Sequence, residues 1–198
     1  MTAQDNPIEP WISGEFDITS ILRGAPRILT KGQLIDHVDR QLQITRRSID
    51  QRFTLLLADL DNYSSIVIEK GRSAADILIR ALANPIGSLL APRDAIAILE
   101  NGTIGILLET ARLRLRGQAQ DFAAEMVGQL KTAATDFGIS DPTISVGIAK
   151  VTGNYTAAED IIRDAGIALR LAESQGHDKI EVFHRGMTDL LAAPPIAI

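Results

Sequence analysis

The chain has 198 residues, the size of one ordinary globular domain, and is 45% hydrophobic, 23% charged and 4% aromatic, as in a fold with an aliphatic core. A formal net charge of −5 argues against general nucleic-acid binding or binding to an anionic membrane surface, and the absence of cysteine excludes disulfides and thiolate metal sites. No apolar run approaches the roughly 20 residues that span a bilayer. We therefore expect a cytoplasmic protein that binds neither nucleic acid nor membrane.

The two ends of the chain differ from its middle. Proline and glycine punctuate residues 1–28, and no hydrophobic period persists there. These residues still include large apolar side chains, too many for a free tail. We expect residues 1–28 to form an arm that contacts a protein partner or a second copy of the chain, or packs on the domain, through Trp11, Phe16, Ile21 and Leu22. Residues 29–185 are expected to form the domain, and residues 186–198 a flexible tail.

Helical and extended patterns alternate from Thr30 onward. An apolar stripe of Leu34, Val38, Leu42 and Ile49 predicts the first helix. The run FTLLLADLD, residues 53–61, predicts a strand that is buried on both faces. Two helices follow, one from about residue 63 and one over residues 73–90, and proline at position 85 is expected to bend or break the second.

A hairpin is predicted over residues 95–110, because Asn101-Gly102 between two apolar runs suits a tight primed turn. A helix, a strand with apolar residues at alternate positions, another helix and a short final strand complete the order. Strands interleaved with helices, together with one hairpin, predict an α/β (α+β) domain with a mixed sheet of about five strands flanked by helices.

The residues alone leave the chemistry open. Asp59 and Asp61 end the buried strand and are candidates to hold Mg²⁺. A solvated strand end or a helix-capping aspartate is the simpler interpretation of the same residues. Asp76 is either a ligand-facing carboxylate or a favourable charge near a helix N-terminus. Arg112, Arg114 and Arg116 alternate, as in an anion-binding or partner-binding patch, although a solvated loop is the simpler interpretation. The three histidines are too scattered for a metal site.

Three segments carry a resemblance to a known family. LLLADLDNY is similar to a strand that ends in Asp-x-Asp-x-Phe, and TISVGIA is similar to Val-Ser-x-Gly-x-Ala. DAGIALRLAESQGHDKIEVF follows the pattern of a last helix, a glycine turn and a final strand. With these segments in order, the span from about Leu29 to Phe183 resembles the GGDEF domain of bacterial diguanylate cyclases. The resemblance implies a mainly antiparallel sheet of the nucleotidyl cyclase type, similar to the palm of nucleotide polymerases.

The resemblance also implies an activity and its machinery. The family condenses two GTP molecules into cyclic di-GMP, with two metal ions that activate the 3′-hydroxyl and neutralise the triphosphate. Asp59 and the Leu60 carbonyl stand at metal-binding positions. Asp76 stands at the aspartate that contacts guanine, but its partner asparagine is replaced by Val67. Asp59 and Asp76 are thus vestiges of a metal site and a substrate site.

The signature itself is degenerate. Its five positions fall on Glu100, Asn101, Gly102, Thr103 and Ile104. Glutamate and asparagine replace the two glycines that let phosphate approach the backbone, glycine replaces an acidic metal ligand, and threonine replaces the following glutamate.

Two further sites of the family are altered. The phosphate-contacting lysine and arginine of the family align with Glu173 and His177, so one charge is reversed and the other is largely lost. In the product-inhibition motif, Arg-x-x-Asp, the arginine position is Ala91 and only Asp94 remains; Arg93 is displaced by two residues.

These losses favour a catalytically inactive GGDEF-like domain that serves as a regulatory or protein-interaction module in bacterial cyclic di-GMP signalling. The alternative is a nucleotide sensor that binds GTP through Asp59 and Asp76 without turnover. An active diguanylate cyclase is the least favoured reading. No cofactor is expected, except Mg²⁺ if a nucleotide binds.

Overall fold

The computed structural model describes residues 28–47, 52–109, 119–151 and 155–188. The N-terminal arm up to residue 27, the arginine segment 112–116, Ile49 and the tail from residue 189 lie outside the described residues. Predictions on those segments stay predictions.

The described residues form one six-stranded mixed sheet in the order β1-β3-β4-β2-β5-β6. Three of the five strand pairs, β3–β4, β4–β2 and β2–β5, are antiparallel, whereas β1–β3 and β5–β6 are parallel. The strands are β1 (Ile28–Leu29), β2 (Phe53–Leu60), β3 (Ala95–Ile98), β4 (Ile104–Glu109), β5 (Ile144–Lys150) and β6 (Ile180–Val182). The predicted mixed, mainly antiparallel sheet is confirmed. The strand beyond the expected five is β1, whose two residues are too few to show a period.

Five α-helices flank the sheet within the described ranges. They are α1 (Lys31–Arg47), α2 (Tyr63–Lys70), α3 (Arg72–Ile86), α4 (Ala119–Asp136) and α5 (Ala158–Ser174). The predicted helix over residues 73–90 is too long, because α3 ends at Ile86, one residue after Pro85, and a short 3-10 turn, Gly87–Leu89, follows.

The central strand β2 divides the core in two. Its residues Leu56, Ala58 and Leu60 pack in the cluster that includes α2, α3 and α4. The alternate residues Phe53, Leu55 and Leu57 pack in the cluster that includes α1 and α5. Since successive strand side chains point to opposite faces, a nearly continuous apolar run is what burial on both faces requires. None of the helices in the described ranges is long and apolar enough to cross a membrane.

Strand β5 and helix α5 approach each other most closely at Gly147. A Cβ atom added there would lie 2.8 Å from the Cα atom of Leu169, and still closer to the Ala165 carbonyl oxygen and the Leu169 backbone nitrogen. These are backbone atoms that a rotamer change cannot move, so only glycine allows this packing.

We expect Gly147→Ala to lower the free energy of unfolding by about 3 kcal/mol or more, because helix α5 has to move off the sheet. Gly166→Ala, in helix α5 itself, is the matched control. The nearest atom to a Cβ added at Gly166 is an Arg170 side-chain nitrogen 3.9 Å away. The control should raise stability by about 0.5–1 kcal/mol, since alanine favours helix. Urea unfolding measures both values, and equal effects would contradict the packing argument.

Candidate functional site

The tip between β3 and β4 is the tight turn that Asn101-Gly102 predicts. Asn101 has a φ of 58° and Gly102 a φ of 81°, which is the left-handed conformation that a primed turn needs at both positions. The Thr103 amide donates to the Glu100 carbonyl oxygen at 3.4 Å, and the Leu99 amide donates to the Thr103 carbonyl oxygen at 2.8 Å. The hairpin prediction is therefore confirmed in its turn chemistry.

Gly102 packs directly on the ring of Tyr63, the first residue of α2. A Cβ atom at position 102 would lie 2.7 Å from the tyrosine ring, closer than real Cβ contacts come. The positive φ adds strain to any side chain at this position. A side chain such as a metal-binding carboxylate at position 102 would therefore be strained and would require the Tyr63 ring to move.

Tyr63 also holds the carboxylate of Asp76. Its hydroxyl donates a hydrogen bond to Asp76 Oδ1 at 3.1 Å. Burial, together with this bond and the charge of Asp76, raises the pKa of Tyr63, so the phenol keeps its proton. Val67 is partly buried against the core and has no polar atom in its side chain. Asp76, which stands at the family's guanine-contact position, therefore has Tyr63 as a hydrogen-bond partner within its own chain.

The other signature positions have structural contacts. Glu100 Oε1 accepts a hydrogen bond from Lys31 Nζ at 2.9 Å, which ties the tip to the start of α1. Both side chains are largely exposed, so the ion pair stabilises by less than about 1 kcal/mol. Ile104 is buried in the core opposite Ala58 and Ile98, and Thr103 is half-buried.

The end of β2 gathers acidic groups. Asp59 Oδ1 is buried and has no hydrogen-bond partner among the described residues. Burial, then the charges of Glu173 and Asp61, raise the pKa of Asp59 to about 7, although a backbone hydrogen bond from Leu60 opposes the shift. Burial and the charge of Asp61 likewise raise the pKa of Glu173, while His177 and Arg170 lower it. Ionisation of the Asp59 and Glu173 carboxyl groups is therefore less favourable than in water.

Asp61 does not cap the helix that follows it. The N-cap of α2 is Asn62, which makes no side-chain capping bond. The Asp61 carboxylate, only 5% exposed, instead lies 3.0 Å from His177 Nδ1 and accepts the Asp178 amide at 3.3 Å. These contacts hold the turn after α5 against the end of β2. Within the turn, His177 and Asp178 both have positive φ, a conformation that favours glycine or asparagine.

The described residues do not fit the two-ion centre that the family implies. Asp59 offers one unpaired oxygen, and the Leu60 carbonyl lies in the β2 ladder beside it. Gly102 offers no side chain, and Asp61 is engaged by the turn after α5. Among the residues that the structure describes, no three His, Asp or Glu side chains are grouped so that they could hold a metal ion. We derive no metal-dependent step from this site.

The degenerate product-inhibition motif is a structural turn. Asp94 Oδ2 accepts the Ala91 amide at 2.7 Å, and its Oδ1 accepts the Glu109 amide at 3.1 Å. Arg93 is 76% exposed, and its guanidinium lies 3.8 Å from the Glu109 carboxylate. The aspartate thus closes the loop before β3 and joins it to the end of β4.

The structure brings together Asp59, Asp61, Glu173 and His177, and it places Asp76 beside the signature tip through Tyr63. The sequence analysis did not single out Lys31, Tyr63 or Asp178. Only Tyr63 carried a signal, because it adds a hydroxyl at the position where the family motif has phenylalanine.

Comparison with known proteins gives the family. The family model for the diguanylate cyclase GGDEF domain matches residues 27–179. This chain belongs to the GGDEF family. The match spans most of the domain described above, including the hairpin tip, Asp59 at the end of β2 and Asp61 just after it, so the expected family and fold are confirmed.

Individual relatives are distant in sequence. The probable diguanylate cyclase DgcE of Escherichia coli is 27% identical over 156 residues, covering 73% of this chain and 13% of that protein. The GGDEF domain of TpbB (YfiN) from Pseudomonas aeruginosa has a TM-score of 0.67 at 17% identity, covering 90% of this chain and 99% of that chain. The active GGEEF domain of a diguanylate cyclase from Vibrio cholerae has a TM-score of 0.64 at 15% identity, covering 80% and 99%. This chain spans between 13% and 27% of the length of the curated relatives it matches.

The raised pKa of Asp59 predicts a pH-dependent stability. The ordinary value, 3.8, holds in the unfolded chain, and the folded value is about 7, so ionisation costs the folded state stability as the pH rises from about 4 through 7. Asp59→Asn removes this cost. We expect the stability of the variant relative to wild type to rise by about 2 kcal/mol between pH 5 and pH 8.

Denaturant unfolding at the two pH values checks this expectation. Asp141→Asn is the matched control, because Asp141 is exposed in a turn with a φ of 48° that asparagine also tolerates. A difference between Asp59→Asn and wild type that is the same at both pH values would contradict the assignment.

Proposed function

We propose that this chain is a catalytically inactive GGDEF domain that acts as a regulatory or protein-interaction module in cyclic di-GMP signalling. One observation carries the proposal: an edge where the family implies phosphate-binding cations instead holds the acidic cluster of Asp59, Asp61 and Glu173. Arg170 and His177 are the cationic candidates beside it among the described residues, and the His177 ring nitrogen is engaged by Asp61.

Electrostatics supports the proposal in sign and size. Two like unit charges 4 Å apart repel by about 1 kcal/mol in bulk water and by about 4 kcal/mol near a protein surface. The triphosphate of GTP carries several negative charges, and burial together with neighbouring carboxylates already raises the pKa of Asp59 and of Glu173. Unless a metal or side-chain cations compensate these charges, the edge repels the group that a cyclase has to bind.

The base contact and the tip support the same proposal. A guanine that approached Asp76 would have to replace the hydroxyl of Tyr63, and Val67 offers it no second hydrogen bond. At the tip, Gly102 contributes no metal ligand, and the Tyr63 ring fills the space where one would start. The positions that would perform chemistry therefore make contacts within the domain.

A regulatory role is consistent with the intact packing of the domain. Both faces of the sheet are covered by closely packed helices, so the domain offers a stable scaffold for a partner. The N-terminal arm, with Trp11, Phe16, Ile21 and Leu22, is the proposed contact for a protein partner or for self-association. The acidic, cysteine-free composition supports a cytoplasmic location without nucleic-acid or membrane binding.

The second candidate is a nucleotide-binding domain without turnover. It is favoured by the unpaired buried oxygen of Asp59, which remains available to a cation that accompanies a nucleotide, and by the presence of Asp76. In that case Mg²⁺ would bind only together with the nucleotide.

We expect the purified chain to form no cyclic di-GMP from GTP and Mg²⁺, because the groups that would bind and neutralise the triphosphate are missing. The active Vibrio cholerae GGEEF domain, assayed in parallel by chromatography of the products, is the positive control. Product formation by the wild-type chain above that of an Asp59→Asn, Asp76→Ala double variant would overturn the proposal of inactivity.

Calorimetric titration separates the two candidates. An inactive interaction module binds GTP weakly or not at all, whereas a sensor binds it with an affinity that Asp76→Ala lowers. Glu173→Lys with His177→Arg restores the family's charges, and we expect this variant to bind GTP at least tenfold more tightly than wild type. No gain in affinity would remove the electrostatic basis of the proposal.

We expect deletion of residues 1–26 to abolish self-association or partner binding and to leave the domain folded, since β1 begins at Ile28. Light scattering reports self-association, and circular dichroism reports the fold. Replacing Trp11, Phe16, Ile21 and Leu22 by serine in the full chain is the matched variant and should have the same effect. If the truncated chain unfolds, the arm is part of the fold instead of an interface.

A further inference from the structure

A cavity of about 790 Å³ lies away from the cyclase-like edge. Lys150, at its mouth, ends β5, whereas Ser145 of the same strand pairs with Asp59. Five residues of strand separate the two positions by roughly 16 Å. The cavity is therefore a separate feature of the fold, and its volume lies in the range of small-molecule sites.

Helix α5 and the segment after β6 form the two walls. Asp160, Arg163, Asp164 and Ile167 are spaced i, i+3, i+4 and i+7, so they share one face of α5. Opposite them are Val182, Phe183, His184, Arg185 and Thr188. Ile167, Val182 and Phe183 give this space an apolar side, and the polar groups lie around it.

The acidic groups of the cavity are already neutralised. The Tyr155 hydroxyl donates to Asp164 Oδ2 at 2.9 Å, and Arg163 Nε and Nη2 donate to Asp164 Oδ1 at 3.1 and 3.0 Å. Arg163 Nη1 also donates to Asp160 Oδ1 at 2.8 Å. Asp164 is 6% exposed, and its carboxylate is compensated by the hydrogen bonds from Tyr155 and Arg163, so it needs no added cation from a ligand.

Among the described residues, two basic groups at the cavity have no carboxylate partner. Within that part of the chain Lys150 Nζ bonds to the neutral Gln120 side chain, at 3.3 Å, and the Arg185 guanidinium has no hydrogen bond or ion pair. In a chain with a net charge of −5, this is a locally positive mouth beside an apolar wall.

We propose that this cavity binds a small organic anion, with its carboxylate or phosphate between Lys150 and Arg185 and its apolar or aromatic body against Ile167, Val182 and Phe183. Arg and Lys donate charge-assisted hydrogen bonds to such anions, and the apolar wall removes the body of the ligand from water. The site is independent of the proposed loss of cyclase activity.

The test uses the full chain and the fluorescent aromatic sulfonate 8-anilinonaphthalene-1-sulfonate as the probe. We expect saturable binding, and amide shifts in two-dimensional NMR spectra that centre on Phe183, Arg185 and Ile167. Lys150→Gln with Arg185→Gln should weaken probe binding at least fivefold, whereas Arg80→Gln, which removes an exposed charge on α3, should change it less than twofold. Circular dichroism verifies that each variant is folded.

Two competitors identify the anionic group. Indole-3-acetate carries a carboxylate on an aromatic body, and GMP carries a phosphate; the one that displaces the probe at the lower concentration names the preferred group. Unchanged probe affinity in the folded double variant, or amide shifts that centre on another surface, would overturn the proposal.

Discussion

Burial of strand β2 on both faces is the constraint on which the rest of the structure depends. Its alternate residues belong to two separate cores, so the strand has a single register that leaves no large apolar residue in water. That register places Asp59 at the strand end on the α5 side, opposite Ser145 of β5. The close contact of Gly147 with α5 then brings Glu173 and the following turn to the same edge, which is why the charge of Glu173 helps to raise the pKa of Asp59 and the charge of Asp61 helps to raise the pKa of Glu173.

The signature tip shows how a fold is kept while its chemical groups change. The hairpin needs two residues that accept positive φ, and Asn101-Gly102 meet that need. Because the Tyr63 ring lies against Gly102, a larger residue at that position would have to displace the ring and adopt a strained backbone conformation. The hydroxyl of Tyr63 in turn donates a hydrogen bond to the Asp76 carboxylate. These contacts stabilise the domain and at the same time occupy the places where a nucleotide and its metal would bind, which links the stability of this tip to the proposed loss of activity.

The family comparison and the local geometry answer different questions. Membership of the GGDEF family follows from the match over residues 27–179, and the fold follows from solved GGDEF domains under 20% identical. Whether a member turns over GTP depends on a few side chains that such a comparison averages away. The cavity beside α5 is a further local feature of this kind, because it is defined by a few side chains that lie outside the cyclase-like edge.

The sequence by itself determined the element order, the hairpin turn and the apolar face of each helix, because these depend on periods of two or 3.6 residues and on local backbone preferences. It also placed Asp59, Asp76 and the signature positions through the family resemblance. The two-residue strand β1 was decided by its pairing with β3. Tertiary packing also decided the bond from Tyr63 to Asp76, the engagement of Asp61 by His177 and the ion pair of Lys31 with Glu100. The last two pairs join residues 116 and 69 positions apart, and such contacts depend on how the sheet brings distant segments together, which no local pattern encodes.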